Sequence, residues 1–237
     1  MHEPKMPISK RLSRVAELVP FGARVADIGC DHGYLSIDLL KSGRASFVHA
    51  CDLREKPLAH GRENAARFGI GEKIRFSVAD GLSAVDKDEV DTVVCAGMGG
   101  ELIAQILEAA PWVRRPGLTL VLQPQSSGNE LRRRLRAMGF AIEKEALVEE
   151  GGFIYYIMRA VYAPSEQPTV GEEYCSKALL HSGEPLLGAY LHRLNVSLTA
   201  TVENIRRSEN PPLERLRYYE TALREIRQMQ EEISCRP

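Results

Sequence analysis

From residue 24 to residue 138, short apolar runs alternate with segments of helical period, and this alternation restricts the fold more than any single motif. The runs are RVADI (24–28), SFVHACD (46–52), KIRFSVAD (73–80), DTVVCAG (91–97) and LTLVLQ (118–123). Between them, 34–42, 55–68, 99–110 and 128–138 carry the spacing of helices. An N-terminal helix precedes the series. ISKRLSRVAELV sets Ile8, Leu12, Val15, Leu18 and Val19 at helical intervals, and Pro20 and Gly22 close it. Strand–helix–strand repeats predict right-handed crossovers and a parallel sheet.

The pattern then changes. AIEKEALVEE (141–150) and FIYYIMRAVYA (153–163) are joined by Glu150-Gly151-Gly152, leaving room for a hairpin turn and no helix. The expected fold class is therefore α/β, a Rossmann-like sheet of the class I methyltransferase type ending in an antiparallel hairpin. APSEQPTVGEE (163–173) reads as a linker. Beyond it Leu187, Leu191, Leu194, Leu198, Thr201 and Ile205 repeat at helical spacing, Asn210-Pro211-Pro212 interrupts, and Leu216, Tyr219, Leu223, Ile226, Gln230 and Ile233 resume. Two such helices fold back as an antiparallel coiled-coil hairpin. The expected division is 1–163 for the sheet domain and 164–237 for the linker and helical domain.

Composition excludes several classes. Hydrophobic residues are 44% and charged residues 27%, with net charge −1, so no overall basic field marks a nucleic-acid binder. The five cysteines are scattered without a CxxC pair, which predicts a reducing, cytoplasmic setting and no metal. MHEPKMPISK has no apolar centre and no long apolar run occurs, so neither a signal peptide nor a membrane span is expected.

The chemistry centres on VADIGCDHGYLSIDLL (25–40), a strand, a glycine loop and a helix. A dinucleotide loop needs G-x-G-x-x-G to seat a diphosphate. Here Gly29 and Gly33 flank Asp31, whose carboxylate would repel a diphosphate and attract a cationic ligand. S-adenosylmethionine, with its ammonium and sulfonium, suits Asp27 and Asp31. Strand 46–52 ends at Asp52, placed for ribose hydroxyls, and strand 73–80 ends at Asp80-Gly81, placed for an adenine amino group. Three strand ends carrying acids fit a ligand bound at the carboxyl edge of the sheet. Cys95-Ala96-Gly97-Met98-Gly99-Gly100 lets backbone approach donor and acceptor. The Asn/Asp-Pro-Pro-aromatic motif of many amino methyltransferases is missing there.

SKRL, DIGCDHGYL, AGMGGELIAQILE, LQPQ and the helical hairpin together resemble the bacterial tRNA (adenine-22-N1)-methyltransferase family over essentially the whole chain. The resemblance implies a Rossmann-like catalytic domain, a coiled-coil C-terminal domain, S-adenosylmethionine as donor and tRNA as substrate. Asp27, Gly29, Asp31, His32 and Tyr34 match the family's first motif; Gly97, Met98, Gly99 and Gly100 match its fourth. The family pattern after the fifth strand is Gln-Pro-Asn, whereas this chain has Gln123-Pro124-Gln125.

The expected cofactor contacts are thus Asp27, Gly29, Cys30, Asp31, His32, Tyr34, Asp52, Leu53, Asp80, Gly81, Gly97, Met98 and Gly99. The expected catalytic residues are Asp31, to stabilise charge on the adenine, with Met98 and Gln123; the Gly97–Gly99 backbone and the Gln123 and Gln125 amides are expected to orient the reactants. His32 is expected at the methionyl carboxylate or the target base. Adenine N1 has its own lone pair, so alignment rather than a base drives transfer. Lys10, Arg11 and Arg14, and Arg132, Arg133 and Arg136, are the expected RNA contacts. A methyltransferase with a non-tRNA substrate, and a noncatalytic cofactor-binding adapter, remain alternatives, and oligomeric state is open.

Overall fold

A computed structural model of the chain describes residues 7–164 and 166–235. MHEPKM, which belongs to the expected signal-free N-terminus, and Ser165 of the expected linker lie outside the described residues. Helix α1 (Lys10–Leu18) starts at Ser9, whose hydroxyl accepts the Leu12 N–H at 3.2 Å. The sheet domain then runs β1 (Ala23–Ile28), α2 (Tyr34–Lys41), β2 (Ala45–Asp52), α3 (Glu55–Arg67), β3 (Ile74–Val78), β4 (Thr92–Gly99), α4 (Gly100–Glu108), β5 (Thr119–Ser126), α5 (Gly128–Ala137), β6 (Phe140–Glu150) and β7 (Phe153–Tyr162).

The seven strands lie in the order β3-β2-β1-β4-β5-β7-β6. The first five are parallel, and β7 inserts antiparallel between β5 and β6. The chain reverses direction across the sheet between β1 and β4, which opens a crevice at their carboxyl ends. Apolar side chains fill both faces. One core packs α4 and α5 against the sheet through Ile103, Leu107, Leu131 and Leu135, and the other packs α1, α2 and α3 through Val15, Leu18, Leu39 and Leu58.

β4 and β5 run further than the sequence suggests, β5 as far as Ser126. β4 continues through the glycine run to Gly99, and its register against β5 slips at Ala96/Met98 and again at Met98/Gly99. These bulges turn backbone groups toward the crevice. β3 stops earlier, at Val78, because the Ala79 N–H donates to Asp52 O and the chain turns at Asp80.

The helical part comprises a short α6 (Lys177–Leu180), which the sequence did not announce, then α7 (Leu187–Arg206) and α8 (Leu213–Ser234). Asn195 pairs with Gln230 and Arg206 with Glu220, so the two long helices run antiparallel. Leu187, Leu191, Leu198, Ile205, Leu223 and Ile226 are buried as their spacing requires. Val202 and Met229 take the buried places expected for Thr201 and Gln230, the one-residue drift of a 3.6-residue helix against a seven-residue repeat.

The expected linker is not a loose tether. Gly171 N–H donates to Glu225 at 2.7 Å, Glu173 is buried, and Tyr218 O–H donates to Glu173 at 2.6 Å. Beneath this strap lies a correction to the expected RNA face. Arg132 is buried: its Nε and Nη2 donate to Glu145 at 3.0 and 2.7 Å, and its Nη1 donates to Glu173 O at 3.1 Å. The face of α5 that carries Arg132 is covered by β6 and the strap, so Arg132 faces the interior instead of RNA.

Candidate active site

The loop after β1 and the ends of β2 and β4 enclose a cavity of about 300 Å³ at the crevice. Its walls include Asp27, Gly29, Cys30, Asp31, His32, Tyr34, Asp52 and Gly97, eight of the expected cofactor residues. Asp27 ends deep in β1, and Ser36 O–H from α2 donates to its Oδ2 at 2.6 Å. Burial pushes the Asp27 carboxyl up to about 6; the Ser36 bond opposes that rise and the nearby Asp52 adds to it. A cation entering beside this carboxyl restores its charge.

Asp52 organises the loop. Its Oδ2 accepts the Asp31 N–H at 3.2 Å and its Oδ1 accepts the Arg54 N–H at 3.0 Å. Asp31 holds φ +50°, sparsely populated for a residue with a side chain, and that turn presents its largely exposed carboxylate at the rim. His32 stands beside it. Its Nδ1 is 3.3 Å from Nδ1 of His60, the two rings stack at 5.2 Å, and Asn64 donates to its carbonyl at 3.1 Å.

Gly29 adopts φ +71°, and a Cβ there would meet Met98 Cε at 2.3 Å. Only glycine lets the loop pass under Met98. That contact also relocates Met98. It packs against the core behind the loop and is not on the cavity wall, where the sequence put it beside the acceptor. Gln123 is displaced likewise: it is fully buried, its Oε1 accepts from Arg11 Nη1 and from Gly97 N–H at 3.1 Å, and its Nε2 donates to Pro124 O at 2.9 Å. Its amide oxygen is fully engaged and its nitrogen is tied to the neighbouring carbonyl. Of the two amides expected to orient the reactants, Gln125, the residue that departs from the family pattern, is the one that lines the cavity.

Asp80 and Gly81 lie in a second depression of about 560 Å³, walled by Leu102, Ile106 and Trp112, next along the carboxyl edge. Leu53 is 67% exposed and lines neither space, and Gly99 sits behind Gly97 against Ser126. Among the described residues no group of three or more His, Cys, Asp or Glu is arranged to hold a metal ion, and no helix is long and apolar enough to cross a membrane.

The basic residues divide. Lys10 is exposed, but Arg14 is paired with Glu17 and with Glu184 ahead of α7. Arg133 is exposed beside Glu130, and Arg136 is half-buried at a small cleft between α5 and the strap. Arg11 points into the cavity. Sequence reasoning missed it as a cavity residue, although its position three residues after Ile8 and four before Val15 puts a charge inside the apolar stripe of α1. It also missed Ser36 and Arg54, which carry no signal outside the fold.

The strand order, the glycine loop and the acids at three neighbouring strand ends define a methyltransferase of the Rossmann-like class. A methyltransferase-domain family model matches residues 8–158. The tRNA (adenine(22)-N(1))-methyltransferase of Bacillus subtilis (strain 168) is 35% identical over 156 residues, 66% of this chain and 66% of that protein. The crystal structure of the B. subtilis enzyme superposes with a TM-score of 0.84 at 25% identity, covering 95% of this chain and 100% of that one. A Streptococcus pneumoniae protein crystallised with S-adenosyl-L-methionine gives 0.80 at 29% identity, covering 94% and 99%. The chain belongs to the methyltransferase-domain family and, within it, to the bacterial tRNA (adenine-22-N1)-methyltransferases.

Proposed function

We infer that this protein transfers a methyl group from S-adenosylmethionine to N1 of adenine 22 in bacterial tRNA. The observation that carries the reading is the cavity at the β1/β4 crevice, where Asp27, Asp31 and Asp52 face one space with backbone freed by Gly29 and Gly97. This donor set fits a ligand with two cationic centres and a ribose, and it opposes a diphosphate. When bound, S-adenosylmethionine supplies a methyl group activated by its sulfonium.

The chain's own residues do the rest. Asp52, already fixed by two backbone N–H groups, accepts from the ribose hydroxyls. Asp27 faces the ammonium. Gly97, with φ +81° and no side chain, leaves room for the acceptor to approach the donor in line. Asp31 at the rim stabilises the positive charge that methylation places on the adenine ring. Asp80 and Gly81, in the adjoining depression, take the adenine end of the donor. Because N1 is paired in a duplex, the target base enters unpaired or flipped.

Lys10 and Arg133 remain as exposed RNA contacts of the expected set, joined by the helical hairpin, and residues 164–237 act as the RNA-orienting unit on a catalytic unit ending near residue 163. Four buried, unpaired cysteines and an exposed fifth suit a reducing cytoplasm. The test is labelled methyl transfer to total bacterial tRNA followed by nucleoside mapping. N1-methyladenosine at position 22 is the expected product; label in another nucleoside, or only in small-molecule acceptors, overturns the reading.

A further inference from the structure

The turn between β6 and β7 lifts an aromatic ring into solvent beside the cavity. Among the described residues two phenylalanines are strongly exposed, Phe21 at 75% and Phe153 at 66%. Phe21 precedes β1 at the amino edge of the sheet, where the Arg44 guanidinium lies 4.2 Å over its ring. Phe153 opens β7 at the opposite edge, the carboxyl edge of the parallel strands, on which the cavity lies. Side chains alternate along a strand, so Phe153 and Tyr155 share the face that meets α1, while Ile154 and Tyr156 pack against the helical part. The Tyr155 ring is 5.6 Å from the guanidinium of Arg11, a cavity residue, and 6.3 Å from the Phe153 ring. A continuous row therefore leads from the cavity through Arg11 and Tyr155 to Phe153.

The turn that carries this ring is pinned. Gly151 and Gly152 take φ +59° and +80°, the left-handed pair of a tight hairpin. Arg193 of α7 donates to Gly152 O at 3.0 Å and lies 3.5 Å from Glu149, and Glu150 accepts the Arg11 N–H at 3.2 Å. Both acids of the turn thus have partners, and exposed Lys10 stands at the start of α1 beside them. An apolar protein partner is a poor match, because the centre of a protein interface is depleted of charged residues. An unstacked nucleobase is a good one: every base has a π-face for the ring, and its phosphates answer Lys10 and Arg193. The reaction creates such a base. Taking the target adenine out of its stack leaves its neighbour without a stacking partner, and contacts to flanking nucleotides set substrate choice in enzymes of this kind. We propose that Phe153 stacks on the base next to the target adenine in tRNA, with Tyr155 as the inner wall and Arg193 holding the turn. The proposal rests on the reading of this chain as a tRNA methyltransferase.

Binding of tRNA to the full chain, with S-adenosylhomocysteine present, tests it through a cycle between protein and RNA. Phe153→Ala weakens tRNA binding about 5- to 150-fold, the range for one stacked base, and leaves S-adenosylhomocysteine affinity unchanged. Phe153→Trp keeps wild-type affinity for tRNA. Phe153→Leu, which is apolar but has no π-face, loses it. A tRNA lacking the base on one side of adenine 22 binds the wild type more weakly by a similar factor, yet binds Phe153→Ala as well as intact tRNA does, within about twofold. Thermal melts establish that each variant is folded. Base removal on either side that costs the wild type and Phe153→Ala equally overturns the proposal, as does wild-type affinity in Phe153→Leu. A change in the sedimentation of the free protein on Phe153→Ala also overturns it, and assigns the ring to a contact between copies. If the wild type does not methylate adenine 22, the functional reading fails and the proposal with it; methylation by the wild type with unimpaired tRNA binding in Phe153→Ala sinks the stacking contact alone.

Discussion

Arg132 and Glu145 form an ion pair that solvent scarcely reaches, with 3% and 0% of their side chains exposed. Ser176 O–H donates to the other Glu145 oxygen at 2.5 Å, and the Tyr156 ring lies 4.5 Å from the guanidinium. One charged cluster thus joins α5, β6, β7 and the segment ahead of α6. Removing one partner strands the other in a low-dielectric setting. Glu145→Gln and Arg132→Met should each cost about 3–5 kcal/mol of stability, and the double variant should recover part of it. Urea unfolding measures this; losses below about 1 kcal/mol would make the pair equivalent to a surface bridge.

Truncation after residue 163 follows from the same cluster. It removes the Glu173 carbonyl and Ser176 hydroxyl from the pair and uncovers Leu147, Ile154 and Tyr156, which pack against the helical part. The shortened chain should melt lower and self-associate, although its strand pattern is complete. A melting temperature equal to that of the full chain would show the two units to be independent.

Asp52→Ala should weaken S-adenosylmethionine binding about 10- to 100-fold, since a charged acceptor of two ribose hydroxyls is lost. The Asp31 and Arg54 N–H groups lose their partner as well. Calorimetry reads the change. Wild-type affinity in a folded variant removes Asp52 from the site.

Gly29→Ala combines a strained backbone with a collision. The left-handed conformation costs a side-chain-bearing residue about 1–2 kcal/mol, and the new methyl would overlap the Met98 thioether. Donor affinity should fall. Adding Met98→Ala should relieve the overlap and leave the backbone strain, so recovery is partial. Full recovery in the double variant would show that the left-handed turn carries no cost.

Asp27 gives the ligand-free protein a pH signature. Burial pushes its carboxyl up to about 6 in the folded chain, from an ordinary value of 3.8. Between those values the folded state holds more protons than the unfolded state, so stability falls as pH rises from about 4 to about 6. Asp27→Asn should flatten that part of the curve. Donor affinity should run the other way, increasing over the same range as Asp27 ionises to meet the ammonium. Melting curves and calorimetry across pH check both signs, and a ligand-free stability that rises through this window would contradict the assigned cause.

How far the sequence foretells the molecule varies with the physics involved. The strand ends at Asp27 and Asp52 and the loop glycines were legible because local spacing and backbone need determine them. The hairpin at Gly151-Gly152 was legible for the same reason. The fates of the arginines were not. A run such as RRRLR looks like a basic face until Glu145, thirteen residues away from Arg132, is folded against it. Helical phase gave a partial signal, since Arg132 falls three residues before Leu135 and Arg11 falls between Ile8 and Val15. Met98 and Gln123 misled for a different reason. Glycines around Met98 suggested an open setting, yet the double bulge in β4 turns it back onto Gly29, and Gln123 is consumed by holding Arg11 and Gly97.

A Cβ on Gly100 would lie 2.5 Å from Ser127 O and 2.8 Å from Ser126 O. The turns that follow β4 and β5 are therefore mortised together, one backbone seated in the other. Neither can lengthen or change course alone. A change of acceptor preference at this rim, natural or engineered, has to exchange both turns as a single cassette.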